Sequence, residues 1–219
     1  MSQAGDASGD RAGTAGPPPP ARRGRTPSAD VERELLAAAE AVLARGGPGG
    51  LTVRAVAAEA GIAPMGVYNK LGGKDGLIAE LLIRGFDRLR VTLEAALADT
   101  GEPSMRGRFI ACGLNYRQFA LENPHFYGIM FEQPFKRATD NPEVGEHAGA
   151  AFGALVRTVE LAAAANVIAA PDPVETAMQI WSAVHGAMML ELKGMVLTPD
   201  PQYTYRTLLD TLIRGLAPR

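Results

Sequence analysis

The chain has little of the side-chain chemistry on which small secreted domains and metal sites depend. Its 219 residues include a single cysteine, Cys112, and three histidines, His125, His147 and His185. One thiol cannot form an intramolecular disulfide, and these side chains do not have the spacing of zinc ligands. We therefore expect a fold stabilised by its core alone, in the reducing cytoplasm, with no metal and no other cofactor.

Long hydrophobic runs are also missing. No apolar stretch approaches the length of about 20 residues that a membrane-spanning helix needs. The N-terminus carries Asp6 and Asp10, where a signal peptide would have a basic start and a hydrophobic centre. The sequence thus predicts neither export nor a membrane partner. With 47% hydrophobic residues, the chain can form one large domain or two small ones.

An excess of positive charge is missing too. The formal net charge is −2 at pH 7, with 22 basic and 24 acidic residues. Because phosphate binding relies on lysine and arginine, this balance argues against a nonspecific nucleic-acid coat. It leaves room for a local basic surface, but charge alone does not point to DNA.

The first 28 residues differ in composition from the rest. They consist largely of Gly, Ala, Ser, Asp and Pro, with prolines at positions 17–20. Such a segment cannot bury enough apolar surface to offset the chain entropy that folding removes. We predict a disordered tail over residues 1–28, with a short polyproline stretch.

Two helices are predicted between residue 28 and residue 60. The first begins at Ser28 or Asp30, either of which can cap it, and ends at the Gly-Gly-Pro-Gly-Gly segment of residues 46–50. The second begins after the N-cap residue Thr52 and ends before Gly61. Apolar residues recur at helical spacing in both.

A short third helix and a long fourth helix follow. Pro64 is well placed in the first turn of the third, and Gly72 with Gly73 breaks it. Lys74 opens the fourth, which carries an apolar face as far as Leu97. Prolines then divide the remaining chain into about five more helices, and no stretch shows the period-two alternation of a strand.

The resulting fold class is all-α, with about nine helices. We predict a disordered tail over residues 1–28, a three-helix DNA-binding domain of the helix-turn-helix kind over 29–80, and a helical sensor and dimerisation domain over 81–219. The DNA-binding assignment depends on residues 51–82. There, Ala57 supplies the small residue where two short helices touch, and Gly61 supplies a sharp turn.

This segment resembles the TetR family of repressors over about residues 30–80. In that family a Thr- or Ser-capped helix is followed by a small-residue core, a glycine turn and a helix with a tyrosine before a Lys-acidic pair. The chain departs from the pattern at Leu71, where an aromatic residue is usual, and at Gly72 and Gly73, which should loosen the link. The residues in register are Thr52, Ala57, Ala58, Gly61, Tyr68, Lys74, Asp75 and Leu77.

The resemblance implies which residues contact DNA. Thr52, Tyr68 and Lys74 would contact phosphates, and Lys74 would be aided by the amides of a helix N-terminus. Asn69 could pair with adenine, and Met65 could contact a thymine methyl group. The alternative is that Tyr68 is a core aromatic and Lys74 a solvated cap. The predicted DNA-binding set is Thr52, Arg54, Pro64, Met65, Gly66, Tyr68, Asn69, Lys70 and Lys74.

A further stretch of the tail is open to two interpretations. Arg22, Arg23 and Arg25 form either an arm that enters the minor groove or an ordinary solvated linker.

A second motif lies in the C-terminal half. Trp181 and His185 are four residues apart and share a helical face, and Gly186 follows them. The segment is similar to the Trp-His-Gly motif of one subset of TetR-family C-terminal domains. This similarity implies an apolar pocket between helices for a small-molecule effector that is not identified by the sequence.

The candidate pocket residues are aromatic, thioether and a few polar side chains. The same residues at helical spacing would suit a plain core, which is the stronger alternative for any single member, and His185 could simply bond a neighbouring helix. The candidates are Asn115, Tyr116, Phe119, Phe126, Tyr127, Met130, Phe131, Trp181, His185 and Met189.

The final two helices, from Pro173 and from Pro201, are expected to pair with their symmetry mates in a homodimer. A two-fold dimer reads two half-sites of palindromic double-stranded DNA. A ligand would release it by favouring a conformation in which the recognition helices no longer match that spacing, with the fourth helix as the moving rod. The predicted function is thus a ligand-controlled transcriptional regulator, and repression is the family's habit.

Two other classes of protein are alternatives to a regulator. An enzyme would need convergent catalytic groups, and the sequence has no phosphate-binding glycine loop and no nucleophile elbow. Cys112 with His125 or His185 would be an unusual thiol pair, because a lone buried cysteine is most often inert. A protein-interaction module that has lost DNA binding is the second alternative, against which Thr52, Tyr68 and Lys74 argue.

Overall fold

The computed structural model describes residues 28–98, 101–132 and 140–218. Helices form all of the regular secondary structure in these ranges, so the all-α prediction is confirmed. The predicted tail lies outside the described residues except for Ser28, and so do Arg22, Arg23 and Arg25. Within the described ranges, no helix combines the length and the apolar character that crossing a membrane requires.

Nine helices follow one another in the described part of the chain. They are α1 (Ser28–Gly50), α2 (Val53–Glu59), α3 (Pro64–Leu71), α4 (Lys74–Ala98), α5 (Met105–Glu122), α6 (Pro124–Phe131), α7 (Pro142–Ala164), α8 (Pro173–Leu192) and α9 (Pro201–Gly215).

Proline sets the start of five of these helices. A proline in the first turn costs no hydrogen bond, because the first amides of a helix have no acceptor within it. Asn141, Asp172 and Asp200 precede three of these prolines, and each side chain accepts a backbone N–H of the first turn. The five are Pro64, Pro124, Pro142, Pro173 and Pro201.

The first helix ends less simply than the sequence predicts. Its regular geometry is interrupted at Gly47, with φ 60° and ψ −169°. Helical turns resume at Pro48, where the fixed φ of proline suits the start of a new turn. The glycines of residues 46–50 therefore kink the helix, which continues to Gly50 instead of ending at Arg45.

The long helix α4 lies at the centre of the packing. It contacts α1 and α3 on one side and α5, α6 and α7 on the other. Its buried face includes Leu77, Leu81, Leu82, Leu89 and Leu93. The domain boundary predicted at residue 80 falls inside this helix, so the division into a DNA-binding part and a sensor part stays a prediction.

Candidate nucleic-acid interface and ligand cavity

Helices α2 and α3 meet through small and apolar side chains. Val56, Ala57 and Val67 are almost completely buried. Gly61 has φ 67°, and the N–H of Ile62 donates to the carbonyl of Ala57 at 3.0 Å. Glycine adopts this left-handed conformation without steric cost, so the chain turns sharply between the two helices.

Thr52 fixes the start of α2. Its backbone is extended, and its Oγ1 accepts the N–H of Ala55 at 3.1 Å. At the other end of α2, the guanidinium of Arg45 in α1 bonds both carboxylate oxygens of Glu59, at 3.2 and 2.5 Å. This hydrogen bonding lowers the pKa of the Glu59 carboxyl. Both ends of the short helix are therefore held by side chains.

Two glycines shape the link between α3 and α4. Gly72 and Gly73 have φ 68° and 89°. A Cβ at Gly73 would lie 2.9 Å from Cε1 of Tyr68, so the tyrosine ring rests on the open side of this glycine. The glycines that depart from the family's pattern thus allow both the turn and the position of Tyr68.

A third glycine in this link was missed by the sequence analysis. A Cβ at Gly76 would lie 1.7 Å from the carbonyl oxygen of Leu71. The first turn of α4 therefore contacts the backbone at the end of α3. Nothing in the local sequence signals this constraint, because the neighbour is a main-chain atom on the far side of a turn.

The predicted DNA-binding residues lie on the solvent side of this unit. Met65 is 65% exposed and Tyr68 is 55% exposed, whereas Val67 and Leu71 on the same helix are buried. The exposure of Tyr68 favours an interface over a place in the core. Thr52, Arg54, Pro64, Asn69 and Lys74 are also exposed, and Gly66 and Lys70 are half-buried.

A cavity of about 350 Å³ lies within the C-terminal half. Six helices, α4 to α9, contribute to its wall, which is almost entirely apolar. The lining residues are Phe86, Leu89, Leu93, Phe109, Cys112, Gly113, Tyr116, Met130, Phe131, Ala148, Ala151, Phe152, Leu155, Thr158, Ile180, Trp181, Val184 and Leu209.

The predicted pocket residues divide into two groups. Tyr116, Met130, Phe131 and Trp181 line the cavity. The others do not line it, and they are Asn115, Phe119, Phe126, Tyr127, His185 and Met189.

Three residues of the second group lie along grooves on the outer side of α4. Asn115 donates to the carbonyl of Thr92 at 3.2 Å and, with Phe119, lines an open groove. Phe126 lies under the guanidinium of Arg88, 4.9 Å from the ring centre, beside a groove next to α1.

Most of the cavity wall was not predicted. Phe86 comes from α4, Phe109 from α5, and Phe152 and Thr158 from α7. Each belongs to an apolar helix face, and the sequence does not indicate which residues of such a face border a void. The Trp-His-Gly segment, which did carry a local signal, supplies two lining residues, Trp181 and Val184.

Four side chains form a hydrogen-bonded cluster that we call the polar relay: Trp181, Tyr116, Tyr127 and His185. The indole N–H of Trp181 donates to the Tyr116 hydroxyl at 3.2 Å. The two tyrosine hydroxyls are 2.9 Å apart, and His185 Nδ1 lies 2.6 Å from Tyr127 and 3.1 Å from Tyr116. His185 thus bonds tyrosines on two neighbouring helices, α5 and α6.

Burial sets the protonation of the polar relay. It lowers the pKa of His185, against the opposing effect of the Glu132 carboxylate. It also raises the pKa of Tyr116 and of Tyr127. All of these groups are therefore uncharged near neutral pH.

Two sets of contacts connect this cavity to the N-terminal helices. Glu40 of α1 accepts hydrogen bonds from Arg84 at 2.9 Å and from Arg88 at 2.6 Å, both on α4. On the same stretch of α4, a Cβ at Gly85 would lie 2.8 Å from Sδ of Met130. The wall of the cavity and the ion pairs to α1 therefore share about one turn of α4.

Each half of the chain matches a family model. Residues 35–81 match the family model of bacterial regulatory proteins, tetR family, and residues 109–212 match that of a tetracyclin repressor-like C-terminal domain. A solved structure of a protein of unknown function from Rhodococcus sp. RHA1 is 30% identical, with a TM-score of 0.76 over 91% of this chain and 99% of that one.

Two further relatives carry regulator names. A bacterial regulatory protein in the tetR family from Rhodococcus RHA1 shares the fold, at 17% identity and a TM-score of 0.62 over 86% of this chain and 98% of that one. The HTH-type transcriptional regulator Rv1816 of Mycobacterium tuberculosis is 27% identical over 104 residues, which are 48% of this chain and 44% of that protein. The match thus spans less than half the length of this curated relative.

Proposed function

The chain belongs to the TetR family of DNA-binding transcriptional regulators, and from this premise we propose that it is a repressor that binds a palindromic operator as a homodimer and is released by a small apolar or aromatic ligand. The observation that carries the proposal is the outward face of α3. There, side chains suited to DNA are exposed while Val67 and Leu71 anchor the helix from behind.

Each exposed side chain has a separate role on DNA. Tyr68, Thr52 and Lys74 contact phosphates and set the position of the helix. Met65, Gly66 and Asn69 face the base edges in the major groove, where Asn69 pairs with adenine. Arg54, Pro64 and Lys70 flank this face and complete the interface. Because α3 has eight residues, one copy reads only a few base pairs.

Dimerisation follows from the outer faces of α8 and α9. Val174, Met178 and Leu190 on α8 and Tyr203 on α9 are all exposed large apolar or aromatic side chains. Such a concentration on two adjacent helices suits a self-complementary interface. A second copy would cover it and would place two recognition helices on the two half-sites of a palindrome.

Release of DNA follows from the position of α4. The helix begins at Lys74, beside the DNA-binding face, and Phe86, Leu89 and Leu93 further along it form part of the cavity wall. A ligand that moves these side chains changes the orientation of α4 and so the spacing of the recognition helices. We also propose that the protein is cytoplasmic and that it is not an enzyme.

The first experiment is selection of genomic DNA fragments by the purified protein. We expect a palindromic consensus that is lost with Tyr68→Phe and with Lys74→Ala. Lys193→Ala is a matched control for Lys74→Ala far along the chain, and it should keep the consensus. An absence of any enriched sequence at low salt would contradict the proposal.

Salt dependence then separates an operator binder from a protein-interaction module. Binding to the selected sequence should weaken steeply as the salt concentration rises, because each phosphate contact releases counterions. The slope should be smaller for Lys74→Ala than for Lys193→Ala. A binding constant that does not respond to salt would favour the interaction module.

A further inference from the structure

Among the residues that the structure describes, none in the cavity wall is charged. Each of its lining residues is apolar or carries a neutral polar atom. A carboxylate or an ammonium group that entered would lose its hydration without gaining a counter-ion, which is strongly unfavourable. The occupant is therefore uncharged. A volume of about 350 Å³ is near the lower end of the range for ligand pockets, about 300–1,000 Å³.

Two of the polar lining groups belong to a buried pair. The hydroxyl of Thr158 donates to the carbonyl of Ala154 at 2.8 Å. Cys112 Sγ lies 3.7 Å from Thr158 Oγ1, and burial raises the thiol pKa to about 11, so the thiol keeps its hydrogen. With the threonine hydrogen already committed, the thiol is the donor in this contact. Thr158 is left with a lone pair, and neither group has a free hydrogen.

The other two polar lining groups belong to the polar relay. The Trp181 N–H can only donate, and it donates to the oxygen of Tyr116. When Nδ1 of the neutral His185 carries no hydrogen, it accepts from Tyr127, and Tyr127 accepts from Tyr116. The indole hydrogen and both hydroxyl hydrogens of the relay then have acceptors.

Matching hydrogens with acceptors in the same way disfavours the other tautomer of His185, in which Nδ1 carries the hydrogen. A hydrogen on Nδ1 would reverse the relay, because Nδ1 would donate to Tyr127 and Tyr127 to Tyr116. The hydrogen of Tyr116 would then have no acceptor in the relay and would point into an apolar cavity. Buried donors without a partner are rare in folded proteins, because they lose their hydration without compensation.

From these directions we infer that the cavity wall formed by the described residues offers acceptors but no free donor, so that its ligand is an uncharged ring compound bearing a hydroxyl or N–H group that donates to Tyr116 or Thr158. The inference rests on the proposed role of the cavity as the effector site. Phe86, Phe109 and Phe152 supply the flat apolar surfaces for the ring. A ketone, an ether or a carboxylate of the same size would find no hydrogen to accept.

Four biphenyl probes test this directly on the full chain. They are 4-phenylphenol, 4-methoxybiphenyl, biphenyl and biphenyl-4-carboxylate. Trp181 is the one tryptophan of the sequence and lines the cavity, so its fluorescence reports occupancy. We expect the phenol to bind about tenfold more tightly than the ether or biphenyl, as one additional hydrogen bond implies, and the carboxylate not to bind.

Variants identify the acceptor. If Thr158 is the acceptor, Thr158→Val should lower the affinity for 4-phenylphenol about tenfold, to that of biphenyl, and leave the affinity for biphenyl unchanged. If Tyr116 is the acceptor, Tyr116→Phe removes it and also frees the Trp181 N–H at the cavity wall, so the preference for the phenol over the ether should be lost. Tyr127→Phe is the matched control. It removes a hydroxyl from the same relay but not from the cavity wall, and Tyr116 can then donate to His185 Nδ1, 3.1 Å away. The preference for the phenol should therefore survive.

One variant should reverse the preference. His185→Phe removes Nδ1, the final acceptor of the relay. The two tyrosine hydroxyls then have one hydrogen without an acceptor, and Tyr116 can turn its hydroxyl hydrogen toward the cavity. The ether should then gain affinity relative to biphenyl. A merely structural role for His185 would weaken all of the probes alike.

The outcomes separate this inference from the proposed function. Equal affinities for the phenol, the ether and biphenyl, or tightest binding of the carboxylate, would overturn the inference and leave ligand-controlled release intact. If no probe binds, the cavity is not a ligand site, and the release step of the proposed function also fails. Operator selection would be unaffected in either case.

Discussion

The two halves of the molecule place their functional side chains in opposite ways. In α3, the candidate DNA contacts are successive residues on the outer face of one eight-residue helix. In the C-terminal half, the cavity wall is assembled from the inner faces of six helices, from Phe86 to Leu209. The predicted DNA contacts are therefore encoded locally, whereas the cavity depends on how distant segments pack.

One ion pair from each half also differs in its exposure to solvent. Arg45 and Glu59 pair in the N-terminal half with 61% and 35% of their side chains exposed. Arg117 and Glu191 pair in the C-terminal half with 14% and 13% exposed. In both pairs the guanidinium bonds both carboxylate oxygens, so the two pairs differ in their exposure to solvent and not in their geometry. The outer pair is screened by water, and the inner pair has few alternatives to its partner.

The largest expected effect is therefore the loss of the inner pair. Arg117→Met should lower the free energy of unfolding by about 3 kcal/mol, because the largely buried carboxylate of Glu191 is left without a partner. Arg45→Met should change it little. Denaturant unfolding at pH 7 checks both. The double variant Arg117→Met, Glu191→Leu should recover much of the loss, and failure to recover would show that the arginine acts through packing instead of charge.

A backbone contact in the N-terminal half should give the next largest effect. Gly76→Ala should lower the free energy of unfolding by about 2 kcal/mol, because its Cβ would collide with the Leu71 carbonyl and α4 would have to shift. Gly153→Ala is the matched control in α7, where a Cβ meets no atom within 4 Å. That change should raise stability by about 0.5–1 kcal/mol. Thermal unfolding measures both, and equal shifts would contradict the collision.

Gly61 and Gly76 show which features of the N-terminal helices could be predicted from the sequence and which could not. Thr52, Gly61 and Pro64 each carry a local signal, respectively a cap, a positive φ and a first-turn proline, and the ends of α2 and α3 follow from them. Gly76 carries none, because its constraint comes from the main chain of Leu71. Caps, positive-φ glycines and first-turn prolines depend only on neighbouring residues, so a sequence predicts them. A contact with the main chain on the far side of a turn has no such local signal.

The cavity illustrates the same limit more strongly. The helical spacing of Trp181 and His185 pointed to this region, yet His185 does not line the cavity and lies behind the lining residues Tyr116, Phe131 and Trp181. Phe109 and Phe152 were not predicted, because an apolar residue beside a void has the same spacing as one beside a neighbour. Which of them borders the void is decided by the packing of six helices, and the sequence does not specify that packing residue by residue.

A smaller effect is expected at the N-cap of α2. Thr52→Ala should lower the free energy of unfolding by about 1 kcal/mol, because the N–H of Ala55 loses its acceptor. If Thr52 also contacts a phosphate, Thr52→Ala should weaken operator binding at temperatures well below unfolding. Thr52→Ser keeps the hydroxyl and should restore both properties. If Thr52→Ser restored stability but not DNA binding, the Thr52 hydroxyl would not be a phosphate contact.

The smallest expected effect is a pH response confined to the C-terminal half. All three histidines of the sequence lie beyond residue 120, and burial holds the pKa of His185 below its usual 6.5. As the pH falls below this value, the unfolded chain takes up the proton first, so the free energy of unfolding decreases.

Protonation of Nδ1 would also reverse the polar relay and release the hydrogen of Tyr116. Trp181 fluorescence and 4-phenylphenol affinity should therefore change between pH 7 and pH 5 in the parent chain and not in His185→Phe. Because α1, α2 and α3 contain no histidine, a pH response that survives in His185→Phe and tracks operator binding instead would contradict this division between the two halves.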